Sequence, residues 1–575
     1  MSIREIAETI ETIAGIPFSY AIGSTKDRLV YHSSEGGTLT LWSVDVDSRS
    51  RFRITPGPVE YMAEPRHDSN IVYYAKDAAK GAELHKIYAA DAIEGNETLA
   101  VDLTPMRVEG LASYGRLVAF TAATKEEMAL YTSKSGHLEK RRVVPSSAIL
   151  SDANERYLVG TGNLAKNPRS FEIFIFDLST GNYGEYTPKS DSVNKSPKLN
   201  GDKILFESNY TGKNQLHMYD LASAKLSNIP FASKDYQLYD PIEHPNFGWI
   251  DNDKVWFVGK RNGEAKAFID GKEAKTPPGF LWGMTVWKGK AYVLHCSVVQ
   301  PMRLLEGDGK NKVIVEPPVP QGIIAKVGKG RLVSFRSFDG RNIAALVVDH
   351  GSPRPTVVLV HGGPWSEYPN TWGPIICSVA ASGYNVIAPN FRGSTGYGEE
   401  FRNLDIGDPG GGDFQDVVYA TRWAKQNNLA TEAAIMGYSY GGYMTLLALG
   451  KEPELWSCGV AGAPVTDWNE MHKLSDALYR DFIEELFDKK EELFSDRSPI
   501  TYVKNVKKPI CIIASQNDTR TPIKPVLRYA LELANNSGPF ELHSIPDMGH
   551  STGSTQDLVD ILLPGIAFLR KRFPV

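Results

Sequence analysis

Between residues 437 and 442 the chain reads Gly-Tyr-Ser-Tyr-Gly-Gly, a serine with a glycine two positions to either side. An apolar run (433–436) precedes it and a helix-favouring run (443–450) follows. A serine so placed suits three tasks: a tight turn with no chemistry, a loop that cradles phosphate, or a turn that presents a nucleophile. A phosphate loop needs a lysine after its last glycine, and none follows here. The pattern matches the strained strand-to-helix elbow, in which Ser439 stands at the apex. Side chains at 437 and 441 would collide with the adjoining helix and strand, hence the glycines.

A serine hydroxyl attacks poorly without a base, and the base needs a carboxylate to orient it. In an elbow of this kind the chain order is Ser, then Asp or Glu, then His. Three histidines follow Ser439. His472 falls in a helix-like segment and His543 inside a strand-like one, whereas His550 sits in the glycine-containing loop Pro-Asp-Met-Gly-His after that strand. His550 is the expected base. Of the carboxylates, Asp518 ends the buried strand 509–514 and lies 32 residues before His550; Asp467 reads as a helix cap and Asp547 as part of a turn. Asp518 is the expected orienting group.

Acyl transfer also needs donors for a tetrahedral oxyanion, worth about 3–4 kcal/mol each when preorganised. The N–H of Tyr440, directly after the serine, is one candidate. The loop Val-His-Gly-Gly-Pro (360–364) follows an early strand and supplies the other; Gly363 is preferred because Pro364 has no N–H. His361 is expected to order that loop rather than react.

These residues need a scaffold, and the sequence divides into two rhythms. From about 20 to 325, short β-branched and aromatic runs open at 28, 70, 116, 156, 203, 254 and 290, each followed by a second strand-like run and a polar turn. A repeat of that length with several strands predicts a β-propeller, with seven openers for seven blades. Beyond 330, strands alternate with helices (413–426 and 524–536 among them), which predicts a mostly parallel doubly wound sheet of the α/β-hydrolase kind. The expected domains are an N-terminal helix (1–16) that must dock on its own chain or a partner, a propeller (17–325) and a catalytic domain (326–575). In the first, Ile3, Ile6, Ile10 and Ile13 share one helical face, and Ser2 with Glu5 fits a capping box.

Composition narrows the function classes. The 575 residues are 42% hydrophobic and 23% charged, with net charge −5, which gives no electrostatic case for nucleic acid or an anionic membrane. No apolar run reaches the roughly 20 residues of a membrane span. Acidic residues interrupt the N-terminal segment, so it does not read as a secretion signal. Cys296, Cys377, Cys458 and Cys511 are far apart and form no metal motif, so free thiols and a cytoplasmic location are expected, with no metal or organic cofactor.

With these residues in place the chain resembles the prolyl oligopeptidase family of serine peptidases over essentially its whole length. The matching stretches are SFDGRNI (337–343), VHGGP (360–364), NFRGSTGYG (390–398), GYSYGGYM (437–444), NDTRTP (517–522) and GH (549–550). The Tyr-Ser-Tyr-Gly-Gly-Tyr form and the short N-terminal helix are most similar to the acylaminoacyl peptidase branch. The resemblance implies a triad of Ser439, Asp518 and His550, amide donors at Gly363 and Tyr440, and a propeller that admits only short peptides. It also implies homo-oligomers, a dimer being favoured, and either a substrate contact or a structural salt bridge for Arg520. Enzymes that remove dipeptides from free N-termini must bind an ammonium, which requires paired acidic residues projecting from the propeller. The only adjacent glutamates in the propeller, Glu126 and Glu127, read as a solvated turn. The expectation is therefore an exopeptidase that releases N-acylated amino acids from short blocked peptides, with side activity on esters. The alternatives are an oligopeptidase or endopeptidase, a dipeptidyl peptidase, or a broad carboxylesterase.

Overall fold

The computed structural model describes every residue except 105, 168, 230–236, 239–245, 252, 262 and 308. Seven antiparallel sheets, each built from consecutive strands, form a seven-bladed propeller between Ile22–Ser24 and Lys312–Val315; the sixth carries a fifth short strand. The seven sequence openers all fall on the second strand of a blade, such as Leu29–Ser33, Tyr157–Gly162 and Val255–Arg261. Those strands are packed on both faces and so read as apolar runs. First strands of neighbouring blades pack against one another, as Arg107–Tyr114 does on Ile149–Ala153 and Ile149–Ala153 on Asn194–Asn200. These strands carry polar groups toward the axis. Lys198 of blade five reaches Glu64 of blade two at 2.6 Å, and Arg66 reaches Asp152 of blade four at 3.4 Å.

The catalytic sheet has eight strands: β1 (Lys329–Arg336), β2 (Asn342–Asp349), β3 (Arg354–Val360), β4 (Asn385–Asn390), β5 (Ala430–Tyr438), β6 (Gly459–Gly462), β7 (Ile510–Ser515) and β8 (Phe540–Ile545). Their order is β1-β2-β4-β3-β5-β6-β7-β8, parallel from β4 onward and antiparallel at the β1–β2 and β2–β4 pairs. Alternate residues face opposite layers. Val358 and Val360 join Val417, Leu446 and Val526 on one side; Val357 and Leu359 join Val379, Leu562 and Ile566 on the other. Both faces are therefore covered, as a parallel sheet requires.

The N-terminal helix Ile3–Ala14 starts with a reciprocal cap: Ser2 N–H donates to Glu5 Oε2 (2.6 Å) and Glu5 N–H to Ser2 Oγ (3.2 Å). Ile6, Ile10 and Ile13 are buried against the helices Thr555–Arg572 and Pro374–Ala381, so the two chain ends meet on the catalytic domain. Ile3 stays half exposed, because the first turn overhangs that contact. Among the described residues no helix is long and apolar enough to cross a membrane.

Charged pairs join propeller to sheet. Lys195 meets Glu399 at 2.7 Å with both side chains 8% exposed, and Arg107 meets Asp476 at 2.9 Å. Burial opposes ionisation of Glu399, but Lys195 and Arg402 outweigh it and hold the carboxyl below its usual range. Lys195→Met would leave that buried carboxylate with Arg402, 3.8 Å away, in place of its close partner, a loss of about 3 kcal/mol. Thermal melts should show a lower Tm for the single variant than for Lys195→Met/Glu399→Gln, in which the carboxylate is replaced by a neutral amide.

Candidate active site

Four loops meet at the carboxyl ends of β3, β5, β7 and β8, where parallel sheets collect chemistry. Ser439 separates β5 from the helix Tyr440–Lys451 with φ 58° and ψ −121°, a conformation that non-glycine residues rarely adopt. A Cβ at position 437 would lie 2.7 Å from Gly441 Cα, and one at 441 would lie 2.8 Å from the Val360 carbonyl carbon. Glycine at both positions lets helix and strands close around the turn.

His550 Nε2 lies 2.9 Å from Ser439 Oγ, and Nδ1 lies 2.7 Å from Asp518 Oδ2. An ionised carboxylate only accepts, so Nδ1 carries the proton and Nε2 faces the serine hydroxyl as a lone-pair base. Asp518 is itself fixed: Oδ1 accepts the N–H groups of Arg520 (2.9 Å) and Thr521 (2.7 Å), and Oδ2 accepts the Thr521 hydroxyl (2.8 Å). Burial raises its pKa, but His550 and the Thr521 hydrogen bonds outweigh that and hold it below the usual carboxylate range. The loops after β7 and β8 are pinned together by Gln516 N–H to Ile545 O (2.9 Å) and Asn517 N–H to Met548 O (3.0 Å), and Tyr438 OH donates to His550 O at 2.8 Å.

The loop after β3 runs beside the serine. A Cβ on Gly362 would lie 3.3 Å from Ser439 Cβ, and Gly363 follows at φ 115°. His361 is buried and stacked on Phe391, with Nδ1 2.8 Å from Gly362 O and Nε2 2.8 Å from Ser394 Oγ. A carbonyl only accepts, so Nδ1 donates to Gly362 O, while the Ser394 hydroxyl beside Nε2 also lies 2.7 Å from Phe391 O. Burial pulls the imidazole down to about 4, which keeps it neutral. Tyr440 opens its helix, where the first N–H groups have no intrahelical partner and the helix dipole favours negative charge.

The remaining candidates go elsewhere. Asp467 caps the helix Trp468–Leu474 through Asn469 and Glu470 N–H. His472 pairs with Glu484 at 3.0 Å, His543 faces Glu541, and Asp547 sits in a turn beside Lys80. Glu126 and Glu127 form a blade turn, Glu127 paired with Lys140. Arg520 binds Glu83 of blade two through Nε (2.9 Å) and Nη2 (2.8 Å), and Arg107 binds the same carboxylate. Glu83, Arg107 and Glu109, with Asp476 and Tyr479, make a charged wall beside the Asp518 loop that sequence reasoning missed. Their separation in the chain left no local signal. Also missed are two acids near Tyr440. Asp405 receives the Trp365 indole N–H (3.2 Å) and is raised to about 8 by burial and the nearby Asp413 charge. Asp413 receives the Tyr440 hydroxyl (2.5 Å) and is raised to about 6 by burial.

Among the described residues no group of three or more His, Cys, Asp or Glu side chains is placed to hold a metal ion. All four cysteines are free and buried, and burial pushes Cys296 up to about 11 and the other three to about 12.

Comparison with known proteins places this geometry. Residues 30–305 match the model of the acylamino-acid-releasing enzyme-like N-terminal domain, and residues 374–574 match that of the prolyl oligopeptidase family. Dipeptidyl aminopeptidase BIII of Pseudoxanthomonas mexicana is 25% identical over 95% of this chain and 78% of its own length. The human acylamino-acid-releasing enzyme is 28% identical over 40% of this chain, and that match spans only 34% of the human protein. The crystal structure of puromycin hydrolase superposes with a TM-score of 0.83 at 17% identity, covering 99% of this chain and 96% of that one, which extends the likeness in fold to both domains. The two matched models together span most of the sequence: the chain belongs to the prolyl oligopeptidase family of serine peptidases.

Proposed function

We propose that this chain is a serine exopeptidase that releases N-acylated amino acids from short blocked peptides. The carrying observation is the line Ser439 Oγ–His550 Nε2 (2.9 Å) and His550 Nδ1–Asp518 Oδ2 (2.7 Å). Ser439 attacks the scissile carbonyl while Nε2 takes its proton; Asp518 fixes the tautomer and stabilises the imidazolium. The amides of Tyr440 and Gly363 receive the oxyanion. His550 returns the proton to the departing amine, the acyl-enzyme forms on Ser439, and water resolves it by the same relay. Activated esters pass through the same acyl-enzyme.

The acyl preference is supported by the charged wall. A free N-terminal ammonium needs an uncommitted carboxylate, and Glu83 is already held by two guanidinium groups. A blocked terminus brings no charge to satisfy. A dipeptidyl aminopeptidase is the second reading, favoured by the nearly full-length relative of that name and by Glu109. The nearest cation recorded for Glu109 is Arg107, 3.8 Å away, and burial raises its pKa. An incoming ammonium would relieve that burial.

Three outcomes are expected. On paired chromogenic peptides, kcat/KM should favour the acetylated over the free-amine form by about tenfold or more, the scale of one charge left unpaired; equal or reversed values select the second reading. Asp518→Asn should cut kcat about 10⁴-fold by allowing the wrong tautomer. Because the folded Asp518 pKa is depressed, its contribution to stability is present above its unfolded value of about 3.9 and fades as pH falls through the folded value. The Tm gap between wild type and Asp518→Asn should therefore be constant from pH 7 to pH 5 and close only in stronger acid.

A further inference from the structure

Lys260 belongs to strand Val255–Arg261 of the sixth blade, and Glu367 lies four residues past Gly363 on the loop after β3. The two form an ion pair across the domain boundary with Lys260 fully buried and Glu367 5% exposed. Burial pulls the ammonium far below its ordinary pKa, and the Glu367 carboxylate faces it.

The surroundings leave the pair little freedom. Lys260 Nζ sits 5.0 Å from the centre of the Tyr397 ring, and a Cβ on Gly396 would come within 2.9 Å of the lysine methylenes. Tyr397 OH accepts from Asn390 Nδ2 at 2.7 Å, and Asn390 Oδ1 accepts Tyr368 N–H, next to Glu367, at 2.7 Å. Downstream, Asn370 N–H donates to Gly263 O of the same blade (3.0 Å), and Thr371 Oγ1 accepts the Trp282 indole of blade seven (2.6 Å). Upstream, His361 and Gly362 are fixed against Ser394 and Ser439. Gly363 therefore lies on a span held by the catalytic sheet at one end and by the propeller at the other, with Trp365 (indole N–H to Asp405, 3.2 Å) and the Lys260–Glu367 pair as anchors between.

We propose that Lys260 is a positioning residue for the acyl-transfer reaction, acting through Glu367 to set the Gly363 amide beside Ser439. The proposal rests on the reading of Ser439 and Gly363 given above. It makes the propeller part of the catalytic apparatus, since a lysine from one domain aims an oxyanion donor of the other. An ångström of drift in such a donor costs up to about 100-fold in rate, without touching the groups that bind ground-state substrate.

The test uses the full-length protein. Lys260→Met is compared with wild type and with Arg169→Ala, which breaks a part-exposed interdomain pair away from the site (Arg169–Asp488, 45% and 29% exposed) as a control. Active sites are counted by exhaustive fluorophosphonate labelling, and kcat and KM are then measured per labelled site on a blocked chromogenic substrate. Lys260→Met should lower kcat per site about 10- to 100-fold with KM within about twofold, and should weaken a peptidyl trifluoromethyl ketone, whose hemiketal carries the oxyanion, in proportion. Arg169→Ala should match wild type. A merely structural lysine would reduce the number of labelled sites and leave kcat per site unchanged. That result, or a change confined to KM, overturns the proposal. If Lys260→Met does not fold, the Lys260→Gln/Glu367→Gln variant, which keeps a neutral hydrogen bond, is judged by the same criterion. A wild-type protein that takes up no label would instead refute the nucleophile assignment, so the two failures are distinct.

Discussion

The structure turns on a strained residue. Ser439 holds φ 58°, which an L-amino acid adopts at a cost of about 1–3 kcal/mol. It stays there because β3, β5 and the helix Tyr440–Lys451 approach too closely for side chains at 437 and 441. Relaxing the turn would pull the helix from the sheet and expose Leu446, Leu447 and Leu449, all fully buried. The hydrophobic layer thus supplies what the backbone geometry costs. The result is a hydroxyl lifted off the sheet edge toward His550.

The propeller does more than cover that hydroxyl. Its blade-two turn carries Lys80 and Gly81, which touch Asn517 and Gly549 on the two loops that deliver Asp518 and His550. Its first blade pairs with the following segment, Leu39 N–H donating to Gly553 O and Thr555 N–H to Gly37 O. Blade six holds the loop after β3. Most of these contacts are charged or backbone-polar and individually modest, and they converge on the loops that carry chemistry rather than on the sheet. Beside them the apolar core runs unbroken from the propeller (Trp256, Phe280, Val298) into the catalytic domain (Trp372, Ile376, Cys377), so the polar contacts orient the loops while the apolar ones hold the domains together.

Much of this was legible in the sequence where a single local pattern carries the constraint. The serine elbow, the strand end at Asp518, the glycine loop at His550 and the buried second strand of every blade each leave a mark within about ten residues. The inner strands left none, because they face the propeller axis and mix charge with apolar residues, as Asn194–Asn200 does. The wall of Glu83, Arg107, Glu109 and Arg520 was equally silent. Glu83 and Arg520 are 437 residues apart and meet only when two domains close. Adjacent glutamates were the pattern sought, and Glu126–Glu127 supplied it in a surface turn, while the carboxylates beside the site come from a connection in blade two (Glu83) and a strand of blade three (Glu109). Asp467 and Arg520 were resolved only by their partners, a helix N-terminus and Glu83.

The most direct measurement is mass-spectrometric mapping of a fluorophosphonate adduct on the folded full-length protein. The account predicts one phosphonyl group per chain, on the peptide bearing Ser439, with labelling lost in His550→Ala although Ser439 remains. An adduct on any other residue, or equal labelling without His550, would contradict it.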